Sequence, residues 1–331
     1  MHSQFQLGVA TGALYRQAGQ IDAQLYIAHL EPALPAALEL MRTGRLVGVD
    51  MEDWYSEDLL PEAREGRPIP VLRKLEQQLL QDGAHTTCPS RAMSEALATT
   101  YACLPPTVIY NSFSWVDRQR LDHLRRDRRD KRIPSIHWYS QTVGPGRGLE
   151  ELLAALPHLA QPAEIHLRGK PVAGFDRWFS ARMPEGWRDR IFVHGLVPSN
   201  ELLSRIAEHD IGFAGEMKYA RSRDLTITNK MLQYLLAGVA VVASDTAGQR
   251  EVAAQASDAV RLYPSGDAVA LATQLNALLG PPERLRCAKA AALRAAQETF
   301  CWERQEAVLL ASVTRALRRA PRAHSTHESN R

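Results

Sequence analysis

The sequence predicts an α/β protein of two doubly wound domains, each a parallel sheet with helices on both faces. From Pro134 onward, short apolar runs alternate with amphipathic stretches of helical length, the pattern of strand–helix–strand units. The front segment repeats that alternation over fewer units. The chain's 331 residues, 45% hydrophobic and 23% charged, also suffice for two cores.

In the front half, strands are expected at AQLYIAH (23–29), RLVGVDM (45–51), HTTCPS (85–90) and TVIYNS (107–112), with helices over 2–18, 34–43, 68–82 and 91–101. Four parallel strands make an incomplete Rossmann-like sheet. Behind Pro134, strands are expected at SIHWYS, EIHLRG, IFVHG, DIGFAG, VAVVAS and AVRLY. The helices between and after them span 147–160, 175–183, 199–208, 228–237, 248–255, 266–279 and 282–297. The run DRQRLDHLRRDRRDKR, Asp117–Arg132, interleaves four aspartates with eight basic residues and reads as a solvated helix or linker. The expected division is a shortened first domain (1–116), this charged linker (117–133), a complete second domain (134–300), a terminal helix (301–319) and a disordered tail (320–331).

Composition narrows the function classes. Four scattered cysteines without CxxC spacing argue against a disulfide framework or a structural zinc site. No window approaches the roughly 20 apolar residues of a membrane span, so a soluble, cytoplasmic protein is expected. A formal charge of +3 does not by itself imply nucleic acid. No GxSxG or Cys/His arrangement supports a nucleophilic hydrolase.

Ligands of open parallel sheets bind beyond the carboxyl ends of strands, so the candidate residues lie there. Gly144, Gly146 and Gly148 surround Arg147 between a strand and a helix. Such a turn can cradle a phosphate at the helix N-terminus, and it can equally be a plain turn. Lys170 could pair with a diphosphate or simply be a solvated strand end. His194 and Gly195 sit where backbone could meet a flat base. More features converge in LTITNKMLQYLLAG, where Thr226, Thr228 and Asn229 flank a helix start and Lys230 occupies its first turn. A cation there opposes the helix dipole unless an anion is near. A bound diphosphate would supply that anion, and Gln233, one turn on, could reach a ribose or sugar hydroxyl. The acidic run DMEDWYSED offers oxygen ligands for a metal, and solvated carboxylates are the preferred reading.

NKMLQYLLAGVAVVASDTAGQREV resembles the NKxxEYxxxGxPVVxSD signature of retaining nucleotide-sugar glycosyltransferases of the GT-B fold, glycosyltransferase family 4 in particular. QTVGPGRGLEELLAAL, FVHGLVPSNELLSRIAEHDIGFA and FCWERQEAVLLASVTRAL are similar to that family's first loop, base-binding turn and terminal helix. DAQLYIAHLEPALPAAL is similar to a segment whose strand ends in a cleft-facing histidine, here His29. The resemblance implies two Rossmann-like domains facing across a cleft, the first lacking its opening strand and helix units. It also implies sugar transfer from a nucleoside-diphosphate sugar to an acceptor hydroxyl with retention of configuration.

On this view His29, Arg147 and Lys230 are catalytic. Gly144, Gly146, Gly148, Lys170, Gly195, Leu196, Asp224, Thr226, Thr228, Asn229 and Gln233 bind the donor. No metal or other cofactor is expected. The partners implied are a nucleotide sugar and a glycan, lipid-linked or small-molecule acceptor, without nucleic acid and with peripheral contact to anionic lipid left open. Gln233 stands where the family has a glutamate. A second family glutamate has no clear counterpart, Glu216 and Asp224 both being near. A truncated, non-catalytic nucleotide-sugar-binding protein is the alternative, ahead of an epimerase of the same fold.

Overall fold

The computed structural model describes residues 11–130 and 132–319. The first ten residues, where the first helix was expected to begin, and the tail from 320 lie outside them. The chain divides into two compact units. One takes in the described residues up to Cys88, Ser94–Ile109 and those from Ala307 on; the other holds Pro89–Met93 and Tyr110–Glu306.

The first stretch runs α1 (Thr11–Gln20), β1 (Tyr26–His29), α2 (Leu34–Arg42), β2 (Val47–Asp50), α3 (Pro61–Arg64), α4 (Ile69–Asp82), β3 (His85–Cys88), α5 (Arg91–Tyr101) and β4 (Thr107–Val108). The four strands form one parallel sheet in the order β1-β2-β3-β4. Leu34, Val49, Trp54, Leu72 and Leu79 are essentially inaccessible in its core. Glu76 is also fully buried there, where it accepts from Ser56 N (2.9 Å), Ser56 Oγ (2.6 Å) and the Tyr101 hydroxyl (2.5 Å). Those three donors offset much of the desolvation that raises its pKa.

The second stretch contains β5 (Ser135–Val143), α6 (Leu149–Ala155), β6 (Glu164–Pro171), α7 (Phe175–Ser180), β7 (Ile191–His194), α8 (Ser199–Ala207), β8 (Ile211–Ala214), α9 (Arg221–Leu225), α10 (Asn229–Ala237), β9 (Ala240–Ser244), α11 (Ala247–Gln255), β10 (Val260–Tyr263), α12 (Ala268–Leu279), α13 (Pro282–Glu298) and α14 (Trp302–Arg319). Its sheet is parallel throughout, in the order β10-β9-β8-β5-β6-β7. Every residue of β9 is buried, as a strand covered on both faces requires. Trp138, Leu152, Phe213 and Tyr263 lie in the core beneath α6 and α12. Helix α10 buries Met231, Leu232, Tyr234, Leu235, Leu236 and Ala237, and Gly238 ends it in the left-handed conformation at φ 74°.

One close contact helps to seat α10 on the sheet. A Cβ at Gly212 would lie 2.3 Å from the Tyr234 ring, so the ring rests on bare strand backbone. The Tyr234 hydroxyl then donates to the His137 carbonyl at 2.8 Å.

The expectation that Asp117–Arg132 is solvated is corrected at Asp127 and Arg128. Asp127 and Arg128 are each 8% exposed. Arg128 Nε lies 3.2 Å from Glu164 Oε2, and its Nη1 lies 2.8 Å from Asp210 Oδ2. Glu164 opens β6 and Asp210 precedes β8, so two carboxylates enter the interior and draw the guanidinium in after them. Strand β5 is also longer than the predicted SIHWYS, reaching Val143 through a register shift between Tyr139 and Thr142.

Candidate functional site

The second sheet reverses its direction of growth between β5 and β8, since β6 and β7 lie to one side and β9 and β10 to the other. The crevice outside the carboxyl ends of such a pair is where open α/β sheets bind ligands. Two chain segments meet there. Gly148, at φ 77°, precedes α6, and a Cβ on it would lie 2.6 Å from the Gly215 carbonyl. Only glycine brings the loop after β5 this close to the backbone after β8.

Glu216 follows directly. Its N–H donates to Ser244 Oγ and its carbonyl accepts from the same hydroxyl, both at 2.8 Å. Gln249 holds Ser244 in turn (2.6 Å to O, 2.9 Å to Oγ), and Ser265 Oγ reaches the Glu216 carbonyl at 3.2 Å. The carboxylate is thereby set against the start of α10. Its Oε1 accepts from Lys230 Nζ at 2.7 Å and from Thr228 Oγ1 at 2.9 Å. Lys230 Nζ also lies 5.9 Å from the centroid of the buried Trp138 ring. The anion inferred beside Lys230 is therefore present within the protein itself.

Gln233 Oε1 accepts from the Tyr139 hydroxyl. Burial first and the nearby Glu216 second raise the Tyr139 pKa, which keeps that hydroxyl a donor. With Oε1 taken, Gln233 has its amide N–H groups left to offer.

The remaining sequence candidates separate by location. Arg147 is exposed, with Nη1 3.3 Å from Ser140 Oγ. Gly144 and Gly146 share its loop, where the Gly146 N–H donates to Glu150 Oε1 at 2.8 Å. Lys170 is exposed at the end of β6, and Asn229 is exposed at the start of α10. Gly195 and Leu196 follow β7; the Gly195 carbonyl accepts from Arg168 Nη1 at 2.6 Å, and Leu196 is 60% exposed.

Asp224 and Thr226 turn away from Lys230: Asp224 Oδ1 accepts the Ala247 N–H at 3.1 Å, and Thr226 Oγ1 donates to the Ser222 carbonyl at 2.8 Å. Both contacts shape the approach to α10 and α11. Sequence reasoning left Glu216 without a role and did not single out Tyr139. The available signal for Glu216 was its place just beyond DIGFAG, at a strand's carboxyl end.

His29 belongs to the first unit, at the end of β1. Its Nδ1 lies 3.1 Å from Asp50 Oδ2 and 3.4 Å from Glu52 Oε1, and Thr87 Oγ1 donates to Asp50 Oδ1 at 2.7 Å. These three side chains bring one nitrogen and two oxygens within 4.8 Å of one another, close enough to hold a divalent cation. The same geometry is that of an imidazole held by two carboxylates.

The fold is similar to that of known structures. Sucrose-phosphate synthase from Thermosynechococcus elongatus superposes with a TM-score of 0.72 at 16% identity, over 94% of this chain and 78% of that one. Anabaena HepE, solved in complex with UDP-glucose, gives 0.70 at 16% over 94% and 83%. The α,α-trehalose 6-phosphate synthase of Burkholderia multivorans gives 0.68 at 14% over 96% and 77%. No curated protein matches significantly. The fold is GT-B, two α/β units built on parallel sheets. Residues 134–280, within the second unit, match the family model Glycosyl transferases group 1.

Proposed function

We propose that the chain transfers a sugar from a nucleoside-diphosphate sugar to an acceptor hydroxyl with retention of configuration, the second unit binding the donor. The observation that carries this is the Glu216–Thr228–Lys230 group at the sheet's switch point, beside the Gly144–Gly148 loop. Lys230 and Arg147 neutralise the diphosphate, whose charge grows as the glycosidic bond breaks. A cation positioned there stabilises the transition state more than the ground state. The N-terminal turns of α6 and α10 add partial positive charge on the same side. Glu216 holds the Lys230 ammonium in place before the donor arrives and can accept from a sugar hydroxyl. The Gln233 amide addresses the ribose, and the Gly195–Leu196 turn the base. His29 is assigned to the transfer step, on its resemblance alone. The reaction so described needs no metal.

Uridine is the base to test first, because HepE was solved with UDP, with UDP and glucose, and with UDP-glucose. Calorimetry with UDP and UDP-glucose should show binding to the wild type and none to Lys230→Ala. Release of UDP from UDP-glucose, measured with and without candidate acceptors, then tests catalysis. A protein that binds no nucleoside diphosphate of any base is not this enzyme. One that binds tightly without turnover is the truncated, non-catalytic nucleotide-sugar-binding protein of the alternative reading.

A further inference from the structure

Four histidines in the second unit form a continuous column, buried but for its partly exposed end at His194, that the proposed chemistry does not use. His137 of β5 stacks on His209, with centroids 4.5 Å apart and planes at 11°. His209 packs on His166 of β6 at 4.6 Å, and His166 stacks on His194 of β7 at 5.2 Å and 8°, their Nδ1 and Nε2 atoms 3.0 Å apart. His137, His166 and His209 have no exposed surface. Neither ring nitrogen of His137, nor Nε2 of His209, has a hydrogen-bond partner among the described residues.

The groups facing the column come from several elements, Arg129 beside His194 and over the Phe192 ring among them. Asp127, from the segment before β5, lies 3.5 Å from His194 Nδ1 and 4.0 Å from His209 Nε2, and also pairs with Arg168. Glu164 lies 3.1 Å from His166 Nε2 and pairs with Arg128. Ser135 Oγ meets His209 Nδ1 at 3.1 Å. Glu208 and Asp210 flank the approach to β8, and Lys289 of α13 closes on Asp210 at 2.8 Å. Tyr139 stacks on the free face of His137, 5.8 Å away, and carries the hydrogen bond to Gln233. At the other end Arg168 reaches the Gly195 carbonyl.

We propose that this column is a pH-sensitive latch: with neutral imidazoles it leaves Asp127 to hold Arg168 and through it the Gly195 turn, and on protonation the imidazolium groups compete for Asp127 and Glu164 and release that turn. Burial, first in each case, lowers the pKa of all four: His166 to about 4, His137 and His209 well below the usual imidazole value, and His194 in the same direction. The folded state therefore binds fewer protons than the unfolded chain once the pH is below about 6.5. The latch contributes in full above that pH and is lost progressively as the pH falls toward 4. It stands on the packing alone; only its effect on nucleotide binding rests on the function proposed above.

The melting temperature of the wild-type chain should fall by at least about 5 °C between pH 7.5 and 5.0. His137→Phe keeps the stacked ring and removes one titrating group, so its fall should be smaller. His158→Asn, at an exposed histidine of the same unit, should keep the wild-type fall. In the wild type, the imidazole C2–H resonances of His137, His166 and His209 should stay neutral down to pH 5.5, a readout that does not depend on any variant folding. Those three resonances titrating near pH 6.5, or equal falls in wild type and a folded His137→Phe, would overturn the latch. UDP affinity should be unaffected by the latch down to pH 5.5 and weaken about tenfold between pH 5.5 and 4, where the imidazoles protonate and release the turn. Failure to bind UDP at any pH removes the donor assignment, while melting and resonances still decide the latch.

Discussion

Lys230 sits in the first turn of α10, where the helix dipole opposes a cation, and the 2.7 Å contact with Glu216 offsets that opposition. Lys230→Ala should lower turnover of a nucleotide sugar by about 10²–10³ if the ammonium acts on the departing diphosphate. The same variant's melting temperature in the absence of ligand should change little, because Glu216 is only partly buried and turns to solvent. Glu216→Gln should raise KM as well as lower kcat, since it loosens the ammonium and removes a carboxylate that a sugar hydroxyl could donate to. The helix start that carries Thr228, Lys230 and Gln233 was legible because such starts have local sequence preferences. Their partners were not: Glu216 lies 14 residues from Lys230 and Tyr139 lies 94 from Gln233, contacts made only once strands stack side by side.

Among the elements, the loop between β5 and α6 tolerates little at one position. At Gly148 a side chain meets both an unfavourable φ of 77° and the Gly215 carbonyl at 2.6 Å. Gly148→Ala should cost about 2–3 kcal/mol by chemical denaturation, whereas Gly146→Ala, with open space around its Cβ, should cost only about 1 kcal/mol. Helix α11 makes a milder test. Thr246 Oγ1 accepts the Gln249 N–H at 3.2 Å as its N-cap, so Thr246→Ala should lower stability by about 1 kcal/mol. The elements were largely readable because strand alternation and glycine stops are local signals: α10 ends at Gly238 as its sequence indicates. The buried ion pairs of Asp127 and Arg128 were not, since a run of alternating charges gives no sign that two carboxylates elsewhere will draw it inward.

For the molecule as a whole, ligand linkage is the broadest test. A nucleoside diphosphate at one hundred times its Kd should stabilise the native state by about 2.7 kcal/mol and raise the melting temperature by several degrees. A scan in which UDP raises the melting temperature while inorganic phosphate does not would place recognition beyond the phosphates. Two parallel sheets were legible from the alternation of strands and helices, but strand order was not. That β5 lies beside β8, which creates the switch point, follows from long-range pairing that a linear pattern does not encode.

The ring of Tyr234 lying on Gly212 ties two positions into one unit of inheritance. A larger residue at 212 has no room while the aromatic ring remains, and a smaller residue at 234 leaves a hole over the strand together with an orphaned His137 carbonyl. A lineage can leave this pair only by changing both at once or by passing through a weakened intermediate. Descendants of this chain should therefore keep glycine and tyrosine together or lose them together.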